Sequence, residues 1–295
     1  MMKMKRYNTF VMGHISIDEN IYQGEFVKEI GGAVVHSSCT SYAVGYKTGI
    51  LTKLSFRDKD YLEAFTIPKE DIFALDSKNT TSIRNIYLNP DRERRICIAL
   101  SIADPFTIDD IPDNIHSQIY HFAGLISGEF DNEMIKFLHN KGKVALDVQG
   151  FLRNAGENKK MVFKDWEEKK EYLPFIDYLK TDAAEAKIMT GTTDRKIAAK
   201  ILFEWGAKEV MITYNKEVLI YDGRKYYISR LKPRNISGRT GRGDTCFSAY
   251  ITERLNKDIE GALLFASALV SLKMEKPGPF KGTRDEVEDY IKKYY

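Results

Sequence analysis

Cysteine is scarce: Cys39, Cys97 and Cys246 are three in 295 residues, odd in number and far apart. With no CxxC and no Cys/His cluster, neither a disulfide framework nor a structural zinc site is expected, and a reduced, cytoplasmic compartment fits. No apolar run approaches membrane-spanning length. The run after the basic Met1–Arg6 stretch extends only from Phe10 to Met12, too short for a signal peptide. In such a compartment the sequons at Asn79 and Asn235 have no meaning. Neither sign of charge dominates: the formal net charge is +3, the basic residues are scattered, and Lys292 and Lys293 are too few for a basic tail. A nucleic-acid or anionic-membrane partner therefore finds no support. Repeats and low-complexity segments are missing too, as are a Walker A sequence and a Rossmann glycine fingerprint.

What remains is an ordinary globular composition, 43% hydrophobic and 29% charged, long enough for one large α/β domain. The first hundred or so residues lean towards β. Thr9 to Ile17 reads as a first strand, and Thr81 to Leu88 with Arg95 to Ile102 reads as a hairpin around Asn89-Pro90-Asp91. From about residue 117 strands and helices alternate. Gln118 to Ala123, Lys143 to Val148, Ile176 to Lys180 and Glu209 to Thr213 read as strands. Asp131 caps a helix with Met134, Ile135, Phe137 and Leu138 on its apolar face, stopped by Gly142. Asp194 starts another, with Ile197, Ala198, Ile201 and Leu202 on one face and Gly206 at its end. Val218 to Tyr221 and Lys225 to Ser229 flank Asp222-Gly223, a hairpin signal. The last helix opens on Thr283 with Glu286 three residues on, a capping box.

This alternation predicts an α/β fold: a mostly parallel central sheet with helices on both faces, in a single domain spanning 1–295. The early β region departs from it and reads as a small β lid built from parts of about 16–30 and 80–102. Function is expected where the strands' carboxyl ends meet helix N-termini.

The strongest local signal is there. Gly238-Arg239-Thr240-Gly241-Arg242-Gly243-Asp244-Thr245 leads straight into a helix-forming stretch. Glycines let backbone N–H groups turn inward around an anion, and the following helix adds its own free N–H groups and positive dipole end. A carboxylate in the first helical turn would repel phosphate unless it accepts a proton from an attacking hydroxyl. A plain alternative is that Asp244 only caps the helix and the glycines only make a flexible loop.

The segment resembles the C-terminal Asp-Thr-x-Gly-Ala-Gly-Asp signature of the ribokinase-like (PfkB) carbohydrate kinases. The resemblance implies that Gly241, Arg242 and Gly243 form the anion hole and that Asp244 is the catalytic base. Gly31-Gly32-Ala33-Val34-Val35-His36, running on to Gly45, is similar to the family's Gly-Gly-x-x-x-Asn segment, which implies that Gly31, Gly32 and His36 line the acceptor site. Gly13 and Asp18 match an opening Gly-x-x-x-x-Asp whose Asp binds substrate hydroxyls. Asp182 and Glu185 resemble Asn-x-x-Glu, which implies service to magnesium, through water at Glu185, and to phosphate. Thr213 and Thr240, with Ala266 and Gly278 in the C-terminal helix and loop, fall where the family holds its nucleotide. The resemblance covers nearly the whole chain in the right order.

The departures are specific. Gly238 replaces the signature's first Asp, which weakens any monovalent-cation site beside the loop. Arg242 replaces a small Ala and adds a fixed charge where phosphate transfers. His36 replaces Asn, Asp182 replaces Asn, and Asn215-Lys216-Glu217-Val218 replaces a Gly-x-x-Gly turn. Asp147-Val148-Gln149-Gly150-Phe151-Leu152-Arg153 is similar to a stretch of the inositol-kinase-like branch, which implies that Gln149 and Arg153 touch substrate. It would equally suit a capped loop with an internal Asp–Arg pair. His14, His116, His121 and His139 show no ligand spacing, Lys47 and Lys53 read as solvated, and Tyr172 to Tyr178 reads as core.

The resemblance thus implies phosphoryl transfer from ATP·Mg²⁺ to an alcohol of a sugar or polyol such as myo-inositol. A nucleoside kinase is the rival substrate class, and a non-catalytic sugar- or nucleotide-binding regulator is the rival of another kind. An exposed lid leaves a homodimer open as an expectation.

Overall fold

The computed structural model describes residues 3–89 and 95–295. The chain runs β1 (Lys5–Met12), β2 (Ser16–Tyr22), β3 (Glu25–Gly31), α1 (Ala33–Ala43), β4 (Thr48–Leu54), β5 (Ile72–Asp76), β6 (Thr81–Tyr87) and β7 (Arg95–Ser101). It continues through β8 (Ile115–Phe122), α2 (Glu133–His139), β9 (Lys143–Asp147), α3 (Gln149–Leu152), β10 (Arg153–Ala155), β11 (Met161–Phe163) and α4 (Lys169–Tyr172). It ends with β12 (Tyr178–Asp182), α5 (Ala183–Thr190), α6 (Arg195–Glu204), β13 (Glu209–Thr213), β14 (Glu217–Tyr221), β15 (Tyr226–Arg230), α7 (Arg242–Glu253), α8 (Ile259–Lys273) and α9 (Arg284–Tyr294).

Nine strands form the main sheet, in the order β15-β14-β13-β12-β9-β8-β1-β4-β5. Neighbours from β5 through β13 are parallel, while β14 and β15 run antiparallel around the expected Asp222-Gly223 turn. The inner strands are largely buried on both faces because helices cover both sides of the sheet. Met134, Ile135 and Leu138 of α2, Ala186 and Met189 of α5, and Ala198 and Leu202 of α6 seal one face. Phe247 and Tyr250 of α7, Phe265 and Leu269 of α8, and Val287 and Tyr290 of α9 seal the other. Helix α1 lies against α7 along a seam of small hydroxyls. Ser41 Oγ and Ser248 Oγ are 2.7 Å apart, and Ser248 Oγ donates to the Ser37 carbonyl at 2.6 Å.

Four strands make a separate small sheet, β3-β2-β6-β7. β6 and β7 are the expected antiparallel pair, and β6 also pairs in parallel with β2. The expected turn between them lies, from Pro90 on, outside the described residues. The β10–β11 hairpin adjoins this sheet through an Ile98–Lys160 bridge.

The caps at Asp194 and Thr283 form as expected, with Asp194 accepting from the Lys196 and Ile197 N–H groups and Thr283 sharing a capping box with Glu286. Other expectations are corrected. Thr9 to Ile17 is not one strand: β1 stops at Met12 and β2 begins at Ser16 in the other sheet. Between them the His14 N–H donates to the buried Glu129 carboxylate at 2.6 Å. Ile197 is 52% exposed, and Ala199 takes its place on the buried face of α6. Lys53 is buried rather than solvated, because Asp110 pairs with it at 2.8 Å and the Pro105 carbonyl accepts from it at 2.9 Å. The β-leaning first hundred residues also contain α1, whose N-cap Gly32 takes φ 108°. A Cβ there would lie 2.6 Å from the His14 carbonyl.

Candidate active site

The glycine loop at the N-terminus of α7 lies against His36 of α1 and beside Lys180 of β12, which in turn pairs with Asp147 at the end of β9. Gly241 takes φ 74° and is the N-cap of α7, so Arg242, Gly243 and Asp244 are its first helical residues. Asp244 is therefore not the cap, and its carboxyl is free for other work. Its backbone carbonyl accepts from Ser37 Oγ at 3.4 Å, tying the loop to α1.

Lys180, the central residue of β12, is nearly inaccessible and donates to Asp147 Oδ2 at 2.8 Å. A Cβ on Gly243 would sit 3.4 Å from Lys180 Nζ, so this ammonium lies directly beside the anion loop. Asp147, Glu185 and Asp244 surround it, and their charges, against its own desolvation, hold Lys180 protonated. Burial pushes Asp147 up to about 6 despite Lys180, with the Asp244 charge adding to the rise. Burial likewise pushes Glu185 up to about 8, opposed by Lys180 and assisted by Asp182 and Asp147. Desolvation raises Asp244 against the pull of Lys180 and Lys273, which makes it a stronger base than a solvated carboxylate.

Asp182 and Glu185 form a capping box on α5: Asp182 Oδ1 accepts from the Ala184 and Glu185 N–H groups, both at 2.8 Å, and Glu185 Oε2 accepts from the Asp182 N–H at 2.8 Å. Among the described residues no group of three or more His, Cys, Asp or Glu is placed to hold a metal ion directly.

On the acceptor side, Ser16 Oγ donates to Asp18 Oδ1 at 2.9 Å, and Asp18 packs on Gly31, where a Cβ would be 2.8 Å from Asp18 Oδ2. Burial raises Asp18, while Arg153 and Arg95 pull it down. The Arg153 charge thus acts on Asp18, while Asp147 pairs with Lys180 and accepts from the Gln149 N–H at 3.1 Å. The internal Asp–Arg pair is not what holds this loop. His36 is buried against Gly241, burial lowers its pKa to about 3, and its Nδ1 has no protein partner.

On the donor side, Arg242 Nη2 donates to Asn215 Oδ1 at 3.3 Å. Thr213 Oγ1 reaches the Thr181 carbonyl at 3.5 Å. Thr240 and Gly278 are exposed on loops, Gly278 with φ 81°, whereas Ala266 is sealed inside α8 without exposed surface. The structure thus brings Asp18 against Gly31, His36 against Gly241 and Lys180 against Gly243, and leaves Ala266 in the core.

Sequence reasoning passed over Lys180, Asp147, Lys273 and Arg95 as site residues. Lys273 had a readable signal: it is a lysine closing the apolar run Phe265–Leu272, on a helix too apolar to spare a charge without a partner.

Residues 12–285 match the family described as pfkB family carbohydrate kinase. A cytidine kinase of Thermococcus kodakarensis is 30% identical over 251 residues, 82% of this chain and 86% of that protein. A pyrophosphate-dependent kinase of the ribokinase family, solved as a sulfate complex, is 36% identical with a TM-score of 0.86, covering 95% of this chain and 99% of that one. A structure of such a kinase with a pyrophosphate analogue and myo-inositol is 35% identical over the same shares, with a TM-score of 0.85. Arabidopsis thaliana ribokinase with ribose and ATP shares the fold, with a TM-score of 0.76 at 18% identity over 98% of this chain and 99% of that one. The ribokinase-like α/β architecture, the glycine loop with its following aspartate and the match over nearly the full length lead to one assignment: the chain belongs to the PfkB family of carbohydrate kinases, enzymes that phosphorylate an alcohol group.

Proposed function

We propose that this kinase phosphorylates one hydroxyl of a cyclic polyol of the myo-inositol class, with pyrophosphate as its donor in place of the ATP expected from sequence. The observation that carries the donor is Arg242, a guanidinium set within the anion loop and hydrogen-bonded to Asn215. A donor made only of phosphate demands cations and offers no base to stack, and Ala266, expected beside adenine, is closed off in the core. Relatives at 35–36% identity that use pyrophosphate, one holding myo-inositol, support the same reading.

In this reading Asp18 accepts hydrogen bonds from acceptor hydroxyls, with Gln149 and Arg153 beside it. Asp244 takes the proton of the attacking hydroxyl. The Gly241, Arg242 and Gly243 N–H groups and Lys180 hold the charge on the transferring phosphoryl group. A magnesium ion carried on the donor, facing Glu185 through water, would neutralise the remaining phosphate charge. Exposed Phe26, Val27 and Ile30 on the edge strand β3 support two copies meeting through their lids, which sedimentation checks.

Phosphorus NMR of reactions pairing pyrophosphate or ATP with myo-inositol, ribose or cytidine, all with magnesium, tests the reading. Inositol monophosphate formed from pyrophosphate is the expected result. Turnover with ATP alone overturns the donor, and a preference for cytidine, which the 30% identical cytidine kinase favours, overturns the acceptor.

A further inference from the structure

Lys273 is the last residue of α8 and is 3% exposed. A buried ammonium is costly unless its N–H donors are used. Its Nζ donates to the Gly238 carbonyl at 2.6 Å and to the Thr240 carbonyl, both in the strand of chain that enters the anion loop. The Gly238 N–H in turn donates to the Met274 carbonyl at 2.7 Å, so the loop is strapped to the end of α8 from both sides. A Cβ on Gly238 would overlap the Lys276 carbonyl, so the loop as it stands has no room for the signature's aspartate. Among the described residues, the charges that act on Lys273 are Asp244, beyond the loop, and Glu29, from β3, and Lys273 in turn acts on the neutral His36 ring of α1.

We propose that Lys273 is a positioning residue whose ammonium serves as the anion loop's own monovalent cation. By holding the Gly238 and Thr240 carbonyls on the side away from the donor, it turns the N–H groups of Gly241 to Gly243 towards the phosphate. A pair of converging carbonyls is the ligand set that a potassium or ammonium ion would otherwise take. Here the cation is tethered to a helix, so it does not dissociate, and turnover at neutral pH needs no added monovalent ion. Burial, outweighing Asp244 and Glu29, lowers Lys273 to about 8, so the ammonium form prevails at neutral pH and is lost above it. The inference concerns the kinase reaction itself and holds for either donor.

The test uses Lys273→Met, similar in length but uncharged, assayed with whichever donor and acceptor the parent turns over, alongside calorimetry with pyrophosphate. In tetramethylammonium buffer the variant should lose at least about tenfold in kcat, the scale of a lost preorganised donor set. Ammonium or potassium should restore a large part of that loss, a recovery that a merely structural lysine would not show. The parent should be indifferent to the same salts. A folded variant that turns over within about twofold of the parent, or that no monovalent ion improves, overturns the proposal. If the variant does not fold, the parent decides: a requirement for added potassium or ammonium overturns it, and full turnover without them sustains it. A parent that binds no pyrophosphate but turns over ATP refutes the donor proposed above and leaves this test intact.

Discussion

The imidazole of His36 fills the space that a side chain on Gly241 would need. The acceptor-side helix and the donor loop thus meet through a ring and a missing Cβ. Gly241→Ala would add two penalties: a left-handed φ of 74°, costing about 1–2 kcal/mol for a residue with a Cβ, and an overlap with His36. We expect loss of donor affinity and a lower kcat. His36→Ala in the same chain should recover part of both, because the double variant keeps only the backbone penalty. Additive losses across a double-mutant cycle would show that the two residues do not communicate.

Asp244→Asn separates base from scaffold. Gly241 holds the cap position, so the substitution should leave the melting temperature nearly unchanged. An amide accepts no proton at neutral pH, so kcat should fall by about 10²–10⁴. Donor affinity should hold or improve as a negative charge leaves the phosphate site. A variant that folds, binds donor and turns over near the parent rate would reduce Asp244 to a bystander.

Asp18 faces the acceptor, and its loss should be felt there alone. Leaving substrate hydroxyls without an acceptor costs about 1–3 kcal/mol each. Asp18→Ala should raise the acceptor KM by about tenfold or more, with the donor Kd unmoved. Steady-state kinetics with each substrate varied in turn would reveal an unchanged acceptor KM and move the site elsewhere.

Glu185 gives a pH signature in stability. Its folded pKa is pushed up to about 8, so the folded state prefers the neutral acid. That contribution is fully present below the ordinary carboxylate range and is lost as pH rises towards 8. Glu185→Gln stays neutral throughout. Its melting temperature should match the parent's near pH 4 and exceed it at pH 8, by a margin worth at least about 1 kcal/mol. A variant less stable than the parent at pH 8 would show that Lys180 keeps Glu185 ionised.

Much of this could be read without coordinates, and the reasons differ by residue. Strands β12 and β13 and helices α6 and α9 announce themselves through local rules, period and cap, and Asp194 and Thr283 behave as those rules require. The Gly241–Asp244 loop is local in the same sense. Helix α1 is harder, because nearly all of it is buried and its hydroxyl-rich face shows no amphipathic rhythm. The Lys180–Asp147 pair joins residues 33 positions apart on neighbouring strands, and no spacing rule links them. Ile197 was misread because the buried stripe of α6 runs through Ala198, Ala199 and Leu202, and Ile197 lies on the other side of Ala198 from Ala199, about 100° around the helix.

The backbone crosses between the main sheet and the small sheet from β1 to β2, β3 to α1, β5 to β6 and β7 to β8. These passages are stitched together at their base. His14 Nδ1 and Thr81 Oγ1 are 3.1 Å apart, the Ala103 N–H donates to Thr81 Oγ1 at 3.0 Å, and His14 Nε2 lies 3.0 Å from the Asp104 carbonyl. A flap on two strings can swing wide, whereas a plate moored at four crossings is held against swinging. A protease cut in any single mooring would leave the plate seated on the body, so nicked protein would keep its shape until a second mooring is severed.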